Sequence, residues 1–423
     1  MIRIEFLGAM ATVGASGILI DTGREKLVLD YGTKVREIPP IFPIEIKGRV
    51  DAILLSHAHL DHSGGLPLFA SKGKDIPIYA IDVSKPLTKL LLEDSIKISR
   101  EEGIELPFNE KDVKLTISRF KEVEFRKEFD LHSAKVTFYN AGHIPGSAQI
   151  FLDLKEKALL YTGDFNTIET RLMKKADLKL PNVDILITES TYADRDHRDR
   201  KEEEREFIEM IDQTISKNGV ALVAAFAVGR AQEVLLILNK YKVGYPIYLD
   251  GMAKKATNII NSYRKRIKDP KILDKALENV EYVTNNKMRK KIIKEPSIIV
   301  TTSGMLNGGP VVWYLKKLKN RRNSSLLLTG WQLEGTPGRI LLESGRYINE
   351  ELKLNFEVNM NVRRFDFSAH AGRKQLFEYI EKISPEKIFC IHGDHTEEFA
   401  SELKELGFDA IAPIANNRIF EIK

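Results

Sequence analysis

The sequence predicts a layered α/β fold with a second α/β domain inserted into it, and three observations carry that reading. Short apolar runs bounded by Gly and Pro repeatedly end in a polar residue able to carry chemistry. Between about Tyr192 and Val358 the pattern changes to regular alternation of helix and strand, and after Val358 the first style returns. At 423 residues the chain also exceeds what one hydrophobic core usually supports. Residues 1–191 and 359–423 are therefore expected to build one domain, with 192–358 inserted as the other.

In the first part the predicted strands are Arg3 to Gly8, Gly17 to Asp21, Lys26 to Asp30, Ala52 to Ser56 and Lys135 to Asn140. Ile150 to Leu154, Leu159 to Thr162 and Ile185 to Thr188 continue the series. Asp30, Ser56-His57, Gly142-His143, Gly163-Asp164 and Glu189 stand at or just beyond the ends of these runs, where a rigid sheet can gather side chains from distant parts of the chain. In the insertion, Phe207, Ile211 and Ile215 recur at helical spacing behind a charged stretch. A strand at Val220 to Phe226, a helix from Arg230, a strand at Ile247 to Asp250, a helix from Lys254 and a strand at Ser297 to Thr301 follow. That order implies a parallel sheet with helices on it. The terminal segment reads as a strand ending in Ser368-Ala369-His370, a helix from Arg373 to Ile383, and a strand Ile388 to Ile391 leading to His392.

The composition, 43% hydrophobic and 30% charged, is that of a folded globular protein. No apolar run is long enough to span a bilayer, and the N-terminus has no signal-type pattern, so a cytoplasmic location without membrane attachment is expected. A single cysteine, Cys390, excludes an internal disulfide and a cysteine-rich zinc knuckle. Any metal must rest on His and carboxylates. The net charge of +5 fits a polyanion partner without requiring one.

The densest chemistry lies in His57-Ala58-His59-Leu60-Asp61-His62. Imidazoles and carboxylates are suitable zinc ligands, and four of them within six residues would repel and crowd one another unless a cation held them. On a turn, His57 and His59 can face one ion while Asp61 and His62 face a second. The plain alternative is a polar surface turn. His143 and Asp164 each follow a glycine after an apolar run, and Asp30 is suited to orienting a ligating imidazole from behind.

These residues resemble the metallo-β-lactamase superfamily, whose His-x-His-x-Asp-His signature matches His57 to His62, with His143 and Asp164 following in order. Thr188-Glu189-Ser190-Thr191-Tyr192, Phe367-Ser368-Ala369-His370 and Ile391-His392-Gly393 are similar to three further motifs of its β-CASP nucleases. Segments beginning at Phe226 and at Thr302 resemble parts of that family's inserted domain. The resemblance implies an αββα sandwich carrying a β-CASP domain whose parallel sheet is flanked by helices. It implies two Zn2+ ions, one held by His57, His59 and His143 and the other by Asp61, His62 and His392, with Asp164 bridging. It further implies a ribonuclease of RNA processing or decay, exonucleolytic from the 5′ end, endonucleolytic or both, leaving 5′-phosphate and 3′-hydroxyl ends. Two zinc ions sharing a water would depress its pKa and supply the nucleophile. His370 is then the candidate general acid, oriented by Glu189, with Asp61 beside them in the catalytic group.

Single-stranded RNA is the expected partner, and Ser303, Gly304, Ser368 and Arg230 are candidate contacts to it, with Lys254, Lys255 and Arg339 as further cations. Homodimerisation and association with larger RNA-processing or decay complexes belong to the same set of expectations. Three other readings stay open: a small-molecule hydrolase of thioesterase or lactonase type, a non-catalytic RNA-binding subunit, and a DNA nuclease. The first leaves the insertion, Glu189 and His370 unexplained, and the complete set of candidate ligands disfavours the second.

Overall fold

Strand Ile2–Phe6 buries Ile2, Ile4 and Phe6 and turns Arg3 and Glu5 outward, the two-residue period of a sheet with one face in a core. The computed structural model, which describes residues 1–34, 37 and 39–422, continues that strand into a seven-stranded sheet. Its order is Ile419–Ile422, Ile2–Phe6, Gly17–Asp21, Lys26–Tyr31, Ala52–Leu54, Ile78–Ile81 and Phe120–Val123. A second seven-stranded sheet runs Ala410–Ile411, Lys387–Ile391, Ile185–Glu189, Ala158–Tyr161, Ala148–Asp153, Lys135–Asn140 and Phe129–Asp130. Phe6 of the first sheet meets Phe389 of the second at 5.1 Å between ring centroids, and Phe420 closes the trio.

Each sheet carries helices on its other face. Leu19, Val28, Ile53 and Ile78 pack with Phe69 and Leu66 on one side of the sandwich. Leu160, Leu186 and Ile388 pack under helices Arg373–Ile383 and Thr396–Glu405 through Leu376, Ile380, Phe399 and Leu403 on the other. The layering is therefore αββα. Phe6→Ala removes a fully buried ring from the middle of it and is expected to cost about 3–5 kcal/mol, read as a lowered urea midpoint, whereas Phe6→Leu should lose much less.

The chain divides into two units, the first comprising Met1–Glu169, Lys174–Asp196 and Ala369–Lys423. The second comprises Thr170–Met173 and His197–Ser368. Its sheet has six strands, all parallel, in the order Val280–Tyr282, Ile247–Leu249, Ser297–Thr301, Val220–Ala224, Ser325–Leu328 and Asn361–Arg364. Strands Val220–Ala224 and Ser297–Thr301 are buried at every residue, as parallel strands covered on both faces must be. Helices Arg200–Ser216 and Arg230–Lys240 cover one face, and Pro310–Leu318 and Pro337–Ser344 the other.

The sequence boundary at 358 cuts off Asn361–Arg364, yet that strand pairs with Ser325–Leu328 inside the second unit, so packing carries this unit on to Ser368. For the same reason the strand expected to end at Ser368-Ala369-His370 ends at Arg364, where its partner strand ends. Helices Ser84–Glu102 and Glu110–Ser118 fall in a stretch where the sequence reading named no element. The sequence placed the strand Ser297–Thr301 and the helix Arg373–Ile383 at their observed bounds.

Candidate metal centre

The first unit brings the polar strand-end residues of both sheets to one edge. His57 and His59 follow strand Ala52–Leu54, and Asp61 and His62 lie on the single helical turn Leu60–Ser63 that comes next. His143 follows Lys135–Asn140, Asp164 follows Ala158–Tyr161, Glu189 ends Ile185–Glu189, and His392 follows Lys387–Ile391. Gly163 has φ +53°, and a Cβ there would stand 2.7 Å from that of Ser56, so a side chain would push Asp164 away from the histidines. Asp30 and His392 adopt left-handed backbone (φ 56° and 53°), a conformation that costs a non-glycine residue of order 1 kcal/mol or more and that collects at functional sites.

Within this edge two groups of donors overlap on one residue. His57, His59, His143 and Asp164 offer ligand atoms all within 4.8 Å of one another, as do Asp61, His62, Asp164 and His392. Asp164 turns a different oxygen to each group: Oδ2 lies 3.5 Å from His57 Nε2 and 3.6 Å from His143 Nε2. Oδ1 lies 3.2 Å from His62 Nε2 and 3.3 Å from His392 Nδ1. His59 Nδ1 and His143 Nε2 face each other at 3.1 Å, and His392 Nε2 is 3.6 Å from Asp61 Oδ2.

Four buried atoms at the centre, His57 Nε2, His62 Nε2, His392 Nε2 and Asp164 Oδ1, make no hydrogen bond. Buried polar atoms without partners are costly, and so many converging on one spot are explained by cations that would coordinate them. Electrostatics fits the same account. Burial, with neighbouring imidazoles adding to it, holds His57 and His143 well below the usual histidine range, in the neutral form a metal requires. Burial opposes the charge of Asp164, but His62, His392 and other imidazoles keep its carboxyl well below the usual carboxylate range.

Behind the centre, Asp30 Oδ2 accepts from His62 Nδ1 at 2.7 Å, from the Ser56 hydroxyl at 2.6 Å and from the Tyr161 hydroxyl at 2.8 Å. Such a contact fixes which nitrogen of His62 points inward. The His143 Nδ1 edge lies 3.0 Å from the Ala369 carbonyl. Beside the donors, His370 Nδ1 is 2.9 Å from Glu189 Oε2, and Glu189 also accepts from the Phe165 N–H at 2.8 Å and the Thr191 hydroxyl at 2.5 Å. Burial lowers the affinity of His370 for a proton, yet Glu189 and then Asp164 outweigh it and raise its pKa to about 9.

Every residue that the sequence singled out as a ligand, together with Asp30, Glu189 and His370, lies in this cluster. Tyr161 was not singled out, and Ser56 and Thr191 were named only as a strand end and as part of the motif around Glu189, with no role assigned to either. Ser303, Gly304, Arg230 and Ser368 belong to the second unit. There the Ser303 hydroxyl donates to the carbonyl of Gly308 at 3.2 Å, closing its own loop, and the Lys254 ammonium is turned onto the carbonyl of Val283. Arg230 opens helix Arg230–Lys240, and the Ser368 N–H donates to Asp366 Oδ1 at 3.3 Å.

Comparison with known proteins gives a consistent picture. Residues 11–228 match the family model described as a metallo-beta-lactamase superfamily domain, 231–341 the Beta-Casp domain, and 355–413 a Zn-dependent metallo-hydrolase RNA specificity domain. The chain is 42% identical to the probable RNase MJ4 of Methanocaldococcus jannaschii, with 99% of each chain covered. It is 36% identical to the RNase aCSPSF2 of Saccharolobus solfataricus over 97% of this chain and 83% of that one. Against the transcription termination factor FttA of Methanocaldococcus jannaschii it is 35% identical, over 96% of this chain and 69% of that one. A crystal structure of a protein of unknown function from Enterococcus faecalis superposes with a TM-score of 0.64 over the whole of both chains at 14% identity, which speaks to the fold alone.

Proposed function

The chain belongs to the β-CASP family of the metallo-β-lactamase superfamily, and on that premise we propose that it is a metal-dependent ribonuclease working with two zinc ions. The observation that carries the reading is the pair of donor groups sharing Asp164, with the His370–Glu189 pair against it: Asp164, Glu189 and His370 also offer atoms within 4.8 Å of one another. His57, His59 and His143 would hold one ion, Asp61, His62 and His392 the other, and Asp164 both. Bound there, the pair supplies Lewis acidity towards phosphoryl oxygens and an acidified water as nucleophile.

The chain's own residues do the rest. Asp30 holds the His62 ring in one orientation, and the Ala369 carbonyl does the same for His143. Departure of the leaving alkoxide needs a proton, and His370, protonated through its contact with Glu189, gives it from Nε2 while Nδ1 stays on the carboxylate. The products are a 5′-phosphate and a 3′-hydroxyl, and the reading extends to RNA processing or decay by 5′-to-3′ exonuclease or endonuclease action. A cytoplasmic setting, with homodimerisation or association into a larger processing complex, belongs to the same proposal. Among the described residues no helix is long and apolar enough to cross a membrane.

The test is to incubate the purified, zinc-loaded chain with 5′-monophosphorylated, 5′-triphosphorylated and circular RNAs, with and without chelator. Chelator-sensitive products bearing 5′-phosphates are expected. Cutting of the circle establishes endonuclease action, a strict need for a free 5′ end establishes exonuclease action, and no chelator-sensitive cleavage of any RNA overturns the proposal.

A further inference from the structure

In the second unit, strands Val220–Ala224 and Ser297–Thr301 lie side by side but send their chains to opposite faces of the sheet. The first continues into helix Arg230–Lys240 and the second into helix Pro310–Leu318, which pack in the two separate cores. In parallel sheets the crevice beyond the carboxyl ends at such a reversal is where ligands bind. An aromatic side chain sits there in the open: Phe226, two residues beyond its strand, is 37% exposed although its neighbours Ala225 and Ala227 are buried.

Two glycines make room for that ring. A Cβ on Gly304 would stand 3.0 Å from both the backbone nitrogen and a ring carbon of Phe226, and one on Gly330 would stand 3.2 Å from the same side of the ring. The Gln332 amide ties their two loops together, donating to the Gly304 carbonyl at 3.0 Å and to the Gly330 carbonyl at 3.2 Å. Adjacent to Gly330, the Trp331 ring carries the Arg364 guanidinium 4.9 Å from its centroid and that of Arg339 at 5.9 Å. Arg339 is also paired to Glu343, whereas Arg364 makes no direct ion pair among the described residues and acts on the Asp366 carboxylate only through its charge. Its cation, stacked on an indole, is held in place at little entropic cost for a phosphate.

An exposed aromatic seated on glycines, a second aromatic beside it and a guanidinium stacked on that second ring together match the chemistry of a single-stranded nucleic acid: bases to stack, phosphates to neutralise. We propose that Phe226 and Trp331 form a base-stacking platform for single-stranded RNA, with Arg364 holding the backbone between stacked bases. The inference rests on the ribonuclease reading for its choice of ligand and adds the feature recognised, which is the base face and not the phosphate alone.

The experiment separates bases from backbone. Binding to the zinc-loaded full chain is measured with an oligoadenylate bearing 2′-O-methyl groups and phosphorothioate links, which resists cleavage, and with an abasic oligomer of the same length and linkages. Phe226→Ala should weaken binding of the oligoadenylate about tenfold, the size of a lost base–aromatic stack, and leave the abasic oligomer unaffected. Phe226→Tyr, which keeps the aromatic face, should bind as the parent does, and Arg364→Gln should weaken both oligomers alike. The only tryptophans are Trp313 and Trp331, so in a Trp313→Phe background the emission of Trp331 should be quenched by the oligoadenylate and not by the abasic oligomer. Equal losses on both oligomers for Phe226→Ala, no loss on either, or unquenched Trp331 emission overturns the platform. Failure of the unmodified enzyme to cleave RNA overturns the nuclease reading instead, because binding in this assay does not depend on cleavage.

Discussion

Asp164→Asn is expected to lose bound zinc and turnover together, with turnover falling by more than the roughly 10²- to 10⁴-fold that loss of a general acid costs. The two oxygens of Asp164 face different sets of imidazoles: Oδ2 towards His57 and His143, Oδ1 towards His62 and His392. An amide keeps one oxygen but sets an N–H2 group against the other pair of ring nitrogens. It also removes the charge that would balance two dications in a site where the carboxylate is only 2% exposed. Neither donor group is complete without this residue, so both ions should be weakened and not one. The check is zinc content after dialysis, set beside the cleavage rate. A variant that retains two equivalents of zinc would remove Asp164 from the centre of the account.

The sequence carried this site because its ligands are local in the chain or tied to strand ends. Four of them fall between His57 and His62, and the rest stand where an apolar run stops, a place that can be read from hydropathy. Asp30 was legible for the same reason. Tyr161 was not, and Ser56 was legible only as a strand end without its role, since a tyrosine closing a buried strand and a serine preceding a histidine are ordinary residues until Asp30 is found between them at 2.8 and 2.6 Å. Those contacts span 131 and 26 residues of chain, and no local pattern encodes them.

The second unit shows a similar limit. Its parallel order follows from alternating helices and strands, but the place of Asn361–Arg364 depends on pairing with Ser325–Leu328, and its own residues, Asn-Val-Arg-Arg, have no strand-like hydropathy. Phe226 was read as part of a family motif and as the end of a strand; its exposure became visible only once Gly304 and Gly330 were seen against its ring.

His370→Ala, by contrast with Asp164→Asn, is expected to keep its zinc and still lose about 10²- to 10⁴-fold in turnover. His370 Nδ1 is spent on Glu189, and His370 belongs to neither four-donor group, so its removal leaves every proposed ligand in place. The pH profile separates an acid from a structural prop. Burial alone would discharge this imidazole, but Glu189 and Asp164 raise its pKa to about 9. The acid acts only while protonated, so turnover on the alkaline side should fall as pH rises through that value, and the positive charge of bound ions shifts the fall below about 9. Glu189→Gln removes the largest charge favouring the imidazolium and should therefore move the alkaline limb to lower pH while leaving zinc content unchanged. A glutamine oxygen can still accept the Phe165 N–H or the Thr191 hydroxyl, which limits damage to the loop that carries Asp164. Turnover measured from pH 6 to 10 decides the matter. An alkaline limb that stays put in Glu189→Gln, or zinc loss in His370→Ala equal to that in Asp164→Asn, would contradict the division between proton donor and metal ligand.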